Sequence, residues 1–225
     1  NIVSNELNLV MQVRAADLDG DTDLDLISSS REDDKVAWYE NTDGQGAFGP
    51  QQIISDTNGR ADGLALADID GDSDIDIVAT ANGDKRVYWY ENLDGLGTFG
   101  PPNTIVEVPE SSGYHHVEVA DFDGDLDYDV LTFEYGGNTI AWHENMDGMG
   151  NFGTKNIISN SFNLPYRGEA VDLDGDGDLD VLTCSAETPS SIVGWFENID
   201  GLGSFGPQNI VSNELNLVMQ VRAAD

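Results

Sequence analysis

The sequence predicts an all-β chain of four tandem, four-stranded antiparallel sheets, each about 51–53 residues long and of the β-propeller blade type. Three observations predict it. Two motifs recur four times at spacings of 51 or 53 residues. No segment sustains a helical apolar period, and each repeat offers four short strand-like runs bounded by turn residues.

The first motif is rich in aspartate, Asp17-Leu-Asp-Gly-Asp-Thr-Asp-Leu-Asp25, and returns at Asp68–Asp76, Asp121–Asp129 and Asp172–Asp180. The second is aromatic and glycine-rich, Trp38-Tyr-Glu-Asn-Thr-Asp-Gly-Gln-Gly-Ala-Phe-Gly49, and returns from Trp89, Trp142 and Trp195.

Within the first repeat, strand A is expected over Gln12–Ala16, ending in the aspartate loop. Strand B follows over Leu24–Ser29 and strand C over Lys35–Glu40. The turn from Asn41 to Gly46 carries an Asp-Gly step, which suits positive φ, and strand D runs over Phe48–Ser55. Blades pack face to face, so strands B and C should be apolar on both parities, as in Ile75-Asp-Ile-Val-Ala and Val87-Tyr-Trp-Tyr. Strand A, which should line a crowded axis, is small: Arg-Ala-Ala-Asp, Ala-Leu-Ala-Asp, Glu-Val-Ala-Asp and Glu-Ala-Val-Asp. The tryptophans and phenylalanines of the second motif are then packing residues.

The expected boundaries are 12–62, 63–115, 116–166 and 167–219 for the four blades. Residues 1–11 read as the last strand of a preceding blade and 220–225 as the first strand of a following one. Residues 1–17 recur letter for letter at 209–225, an offset of 208 residues. The four repeats inside that block have diverged, yet the overlap is perfect. The block therefore reads as the unit of a longer array, with an engineered overlap as the alternative.

Charge narrows the partners. Forty-three acidic residues stand against nine Lys and Arg, a formal net of −34. Such a surface repels nucleic-acid phosphates and anionic lipid, so neither nucleic acid nor a membrane is an expected partner. Aromatics at 8% recur at fixed positions, and hydrophobic residues reach 39%, which favours a packed core over disorder. No apolar run approaches the roughly 20 residues that span a bilayer. The single cysteine, Cys184, lies in an apolar run and reads as a buried small side chain.

The aspartate loops read as calcium sites. Calcium takes six to eight oxygens, several from carboxylates. Loop positions 1, 3, 5 and 9 can turn side chains inward, position 7 can offer its carbonyl, and the glycine at position 4 permits the bend. The candidate ligands are Asp17, Asp19, Asp21, Asp23 and Asp25; Asp68, Asp70, Asp72, Asp74 and Asp76; Asp121, Asp123, Asp125, Asp127 and Asp129; and Asp172, Asp174, Asp176, Asp178 and Asp180. About one Ca²⁺ per blade, four per 208-residue unit, would bring the formal charge from −34 to −26. An EF-hand puts glycine at position 6 and helices on either side; here the glycine common to all four loops is at position 4, only Gly177 also fills position 6, and strands flank the loops. Zinc lacks its Cys and His ligands here, and Mg²⁺ prefers to keep its water.

Asp-Leu-Asp-Gly-Asp-Gly-Asp-Leu-Asp-Val (172–181) resembles the VCBS and FG-GAP repeats, and the Trp-x-Glu-Asn-x-Asp-Gly-x-Gly-x-Phe-Gly segment resembles the variety found in secreted proteins. The resemblance covers essentially the whole chain. It implies propeller blades with calcium in the A–B loop, as in the integrin α-subunit head, and backbone ligation at Asp23, Asp74, Asp127 and Asp178. Propellers of this family commonly have seven or eight blades, whereas this unit has four. The resemblance leaves function open among adhesins, lectins, lyase accessory domains and receptor heads.

Function is also sought in the loops that vary between repeats. The B–C loops are Arg31–Asp34, Asn82–Arg86, Glu134–Asn138 and Glu187–Ser191; the D–A loops are Asn58–Asp62, Pro109–His116 and Asn160–Arg167. Tyr114, His115, His116, Tyr166 and Arg167 form a candidate ligand face for glycans or peptides. Catalysis is not expected: His143 replaces the aromatic of Tyr39, Tyr90 and Phe196, and no Gly-x-Ser-x-Gly appears. The leading expectation is a calcium-stabilised extracellular or cell-surface repeat, the unit of a structural or adhesive fibre that continues into, or associates with, further copies. Its alternatives are a lectin-like or receptor-like module binding glycans or cell-surface proteins, and an accessory domain of a secreted enzyme.

Overall fold

Each repeat forms its sheet from neighbouring strands because short turns leave antiparallel pairing as the nearest way to satisfy the backbone. The computed structural model describes residues 2–108, 112–186 and 191–224. It divides into two units, Asn1–Pro109 and Glu110–Asp225. The first unit holds β1 (Val10–Ala16), β2 (Asp25–Ser30), β3 (Lys35–Tyr39) and β4 (Gln52–Ser55), then β5 (Ala61–Ala67), β6 (Asp76–Ala81), β7 (Arg86–Tyr90) and β8 (Asn103–Glu107). The second holds β9 (Tyr114–Ala120), β10 (Asp129–Glu134), β11 (Thr139–His143) and β12 (Asn156–Ser159), then β13 (Pro165–Val171), β14 (Asp180–Ser185), β15 (Ser191–Phe196) and β16 (Asn209–Leu215). Every sheet is a meander whose spatial order is its chain order. The fold is all-β with four blade-like, four-stranded antiparallel sheets, as the sequence predicts.

The two central strands of each sheet are buried on both faces, which explains their apolar character on both parities. β6 and β10 are buried throughout. In the first unit the core joins Leu18, Ile27, Val36 and Trp38 to Leu64, Ile77 and Tyr90. In the second it joins Phe122, Leu131, Phe133 and Trp142 to Phe162, Val181 and Phe196. Within each unit the first strands lie side by side, β1 against β5 and β9 against β13. Cys184 is free and buried, and burial pushes its thiol up to about 11.

Within each unit the joint between its two sheets is a glycine seated on a tryptophan. A Cβ built on Gly97 would land inside the Trp38 ring, and one on Gly203 inside the Trp142 ring. Both glycines have positive φ, +79° and +77°, so position and conformation demand glycine together.

Identical sequence takes two conformations here. Asn209–Leu215 is β16, paired with β15, whereas the same letters at the start of the chain form no strand over residues 2–7. Val10–Ala16 is β1, paired with β2, whereas the same letters at Val218–Ala224 form none. The terminal strands expected over 1–11 and 220–225 are therefore not formed at 2–9 or 220–224. A strand exists only where a partner strand offers its N–H and C=O groups, and the sequence pattern alone does not provide one.

Candidate metal centres

Each aspartate loop closes the first hairpin of its sheet and is wound by its own carboxylates. In the first loop Asp17 Oδ1 accepts the N–H of Gly20 at 2.8 Å, and its Oδ2 accepts that of Thr22 at 2.9 Å. Asp68, Asp121 and Asp172 make the corresponding pairs in the other loops. Position 4 glycine has φ between +77° and +83° in all four, as the bend requires. Position 6 is also left-handed, at Thr22, Ser73 and Leu126 as well as Gly177. Nothing in the residue types of Thr22, Ser73 and Leu126 signals this, because the demand comes from the loop closing on position 1.

The last aspartate is the structural one. Asp25 is buried; Oδ2 accepts the Leu18 N–H at 3.0 Å and Oδ1 accepts the Asn41 N–H at 2.8 Å. One carboxylate thus ties the aspartate loop to the C–D turn of the same sheet. Asp76, Asp129 and Asp180 do the same. Burial pushes Asp76 and Asp129 up to about 7, against the downward pull of those backbone N–H groups.

Carboxylate oxygens of Asp17, Asp19 and Asp25 lie within 4.8 Å of one another, as do those of Asp68, Asp70 and Asp76, of Asp121, Asp123 and Asp129, and of Asp172, Asp174 and Asp180. Positions 1, 3 and 9 are thereby brought together. Positions 5 and 7 are not in that set: Asp21 Oδ1 accepts the Asp23 N–H at 3.0 Å, and the Asp23 side chain faces Gly44 of the C–D turn. Burial, then neighbouring carboxylates, raises Asp19, Asp70 and Asp123 above the ordinary range. Asp70 Oδ1 and Asp123 Oδ1 are buried and accept no hydrogen bond. Hard oxygen donors, mutual repulsion and orphaned lone pairs suit a divalent cation with oxygen preference.

The candidate ligand face divides. Tyr114 and His116 are buried, at 0% and 2% exposure, and belong to the interior of the third sheet. His116 Nε2 lies 2.9 Å from Glu118 Oε1 and 3.1 Å from the Gly168 carbonyl. His115 and Tyr166 are half-buried and meet at 5.2 Å between ring centroids, with Arg167 over the Tyr166 ring at 5.9 Å. Tyr135 completes this cluster, 5.1 Å from His115 and 6.1 Å from Tyr166. It lies in one of the variable B–C loops, so the signal for it was loop variation. Residues 109–111 and 187–190 of the variable loops lie outside the described residues. His143 is buried behind Thr132, as its place in an aromatic column predicts.

Three consecutive, overlapping matches to the FG-GAP-like repeat cover residues 17–79, 68–132 and 127–183. The chain belongs to the FG-GAP-like repeat family. Among solved structures it is similar to an auxiliary nutrient binding protein from Bacteroides ovatus, at TM-score 0.60 and 13% identity, over 94% of this chain and 50% of that one. It is also similar to the V. cholerae biofilm matrix protein Bap1, at TM-score 0.49 and 22% identity, over 88% of this chain and 28% of that one. At 13% identity the likeness to the nutrient binding protein is one of fold, and this FG-GAP-like chain spans half or less of each of those proteins. No curated protein sequence matches it. Among the described residues no helix is long and apolar enough to cross a membrane.

Proposed function

We propose that this FG-GAP-like chain is a calcium-stabilised, non-enzymatic repeat protein of the cell surface or extracellular space, the four-sheet unit of a longer structural or adhesive array. The observation that carries the reading is the fourfold recurrence of one carboxylate triad, each anchored by a buried aspartate to the turn of its own sheet. A cation there would neutralise repulsion and lock two loops of each sheet together. Positions 5 and 7 would join as ligands once the cation draws the loop in, position 7 through its backbone carbonyl. Extracellular calcium modules bind with Kd of about 10⁻⁴ to 10⁻³ M, so millimolar calcium would add roughly 1 kcal/mol per site.

The test is thermal melting with calcium, with EGTA and with EGTA plus excess Mg²⁺, beside calorimetric titration. Four sites per chain and a Tm that falls in EGTA and is not restored by Mg²⁺ are expected. An unchanged melt in EGTA would sink the reading.

A second reading rests on the cluster of His115, Tyr135, Tyr166 and Arg167. Half-buried rings beside a guanidinium are a usual surface for a sugar face. Saturable glycan binding that Tyr166→Ala abolishes would favour a lectin-like role.

A further inference from the structure

Within each unit a small polar cavity lies at the joint of the two sheets, between the aspartate loop of one and the aspartate loop and C–D turn of the next. In the first unit it measures about 140 Å³ and is lined by Asp17, Gly20, Ser73, Asp74, Asn92 and Gly95 among others. In the second it measures about 230 Å³ and is lined by the corresponding Asp121, Gly124, Gly177, Asp178, Asn198 and Gly201.

The lining is rich in acceptors, and its donors are largely engaged elsewhere. The N–H groups of Gly20, Ser73, Asp74 and Asn92 are donated to Asp17, Asp68, Asp72 and Asp76. Those of Gly124, Gly177, Asp178 and Asn198 are donated to Asp121, Asp172, Asp176 and Asp180. Asn92 and Asn198 are each 1% exposed, and the Oδ1 of each is buried and accepts no hydrogen bond. Neither amide gains by turning round, because Nδ2 donates to the Leu18 and Phe122 carbonyls, each at 2.9 Å. In the first sheet of each unit the same asparagine is satisfied: Asn41 Oδ1 accepts the Gly46 N–H at 2.9 Å, and Asn145 Oδ1 accepts the Gly150 N–H at 3.0 Å. The orphaned oxygen therefore belongs to the joint. An orphaned buried acceptor is costly, so a recurring one calls for a partner.

Position 7 adds a carboxylate. A loop that offers calcium its position 7 carbonyl needs no particular side chain there, yet all four loops carry aspartate. Among the described residues the Asp74 and Asp178 carboxylates accept no hydrogen bond and form no ion pair. The Gly95 carbonyl oxygen faces Gly20 across the joint, 3.1 Å from where a Cβ there would stand.

We infer that each of these two cavities is a further Ca²⁺ site, separate from the loop triads. Its protein ligands are the Asp74 carboxylate, Asn92 Oδ1 and the Gly95 carbonyl in the first unit, and Asp178, Asn198 and Gly201 in the second. All are hard oxygens, as calcium requires, and one is charged. Each cavity is several times the roughly 30 Å³ share of one water, so the ion keeps water in the rest of its shell. The loops, with three converging carboxylates each, fill first, and the cavities fill in a second, weaker step.

Position 7 also supplies the control. Asp74→Asn with Asp178→Asn removes the two cavity carboxylates and keeps the loop carbonyls. Asp23→Asn with Asp127→Asn makes the same change of charge in residues that line neither cavity. Equilibrium dialysis of the full chain against CaCl₂ should count two Ca²⁺ beyond the four of the loops. The Asp74/Asp178 pair should lose those two and keep the four, which also shows that it is folded. The Asp23/Asp127 pair should keep all. A wild-type chain that stops at the four, or two paired variants that bind equally, overturns the cavity sites and leaves the cavities to water. A chain that binds two Ca²⁺, unaffected by Asp19→Asn but lost with the Asp74/Asp178 pair, sinks the loop reading alone.

Discussion

Asn92 Nδ2 of the second sheet donates to the carbonyl of Leu18 in the first sheet's aspartate loop, across 2.9 Å of buried space. This bond, and its counterpart from Asn198 to the Phe122 carbonyl in the second unit, makes the first aspartate loop of each unit depend on the turn of the sheet that follows it. Its removal leaves the Leu18 carbonyl buried and unpaired. Asn92→Ala should therefore cost about 1–3 kcal/mol in urea unfolding, and amide exchange of Asp19 and Gly20 should accelerate. Unchanged exchange at those two amides would refute the coupling.

The turn glycines separate packing from backbone strain. Gly97 and Gly46 hold equivalent places with φ of +79° and +90°, but only Gly97 has a ring, Trp38, in the path of a Cβ. Gly46→Ala should lose about 1 kcal/mol, the cost of a left-handed alanine. Gly97→Ala should lose that and a further 1–3 kcal/mol or so for displacing the ring. Equal losses in denaturant melts would mean that Trp38 gives way freely.

Two aspartates of one loop should answer differently to the same change. Asp19→Asn removes a carboxylate that suffers from burial and from its neighbours, so it should abolish one calcium site and leave the EGTA melt unchanged or raised. Asp25→Asn keeps a single acceptor oxygen where two backbone N–H groups need one each. It should lose the same site and also about 1–3 kcal/mol in EGTA. Titration calorimetry and calcium-free melts of both variants test this.

Much of this was legible in the sequence, and its gaps have physical causes. Strand order, the central burial and the position 4 bend follow from local pattern, so Asp17–Asp25 and Trp38–Gly49 sufficed to place them. β1 begins at Val10 rather than Gln12 because an irregularity in its pairing with β2 lets the edge extend. The inward turn of Tyr114 and His116 was hidden because alternation on an edge strand does not reveal which face a neighbouring sheet will cover. The role of Asp25 as a backbone anchor was hidden because its partners, Leu18 and Asn41, belong to two different loops. The unformed strand at Val218–Ala224 shows the same limit from the other side: its letters are those of β1, yet among the described residues it pairs with no strand.

His143 supplies a pH dependence of known sign. Burial, with the Lys155 ammonium nearby, pushes its imidazole down to about 4, from 6.5 in an unfolded chain. The unfolded chain therefore binds the proton first as pH falls, and the native state cannot follow. The contribution is fully present above about pH 6.5 and is lost progressively as pH drops to about 4, where it amounts to roughly 3 kcal/mol. His143→Phe restores the aromatic that the other repeats carry at this place, and Thr132 keeps its bond to the Ala141 carbonyl. The aspartate loops titrate over the same range, so the quantity to measure is the difference in unfolding free energy between the two proteins, in EGTA, from pH 7 to pH 4. That difference should grow in favour of the phenylalanine variant as pH falls. A constant difference would mean that His143 takes up its proton in the folded chain as readily as in the unfolded one.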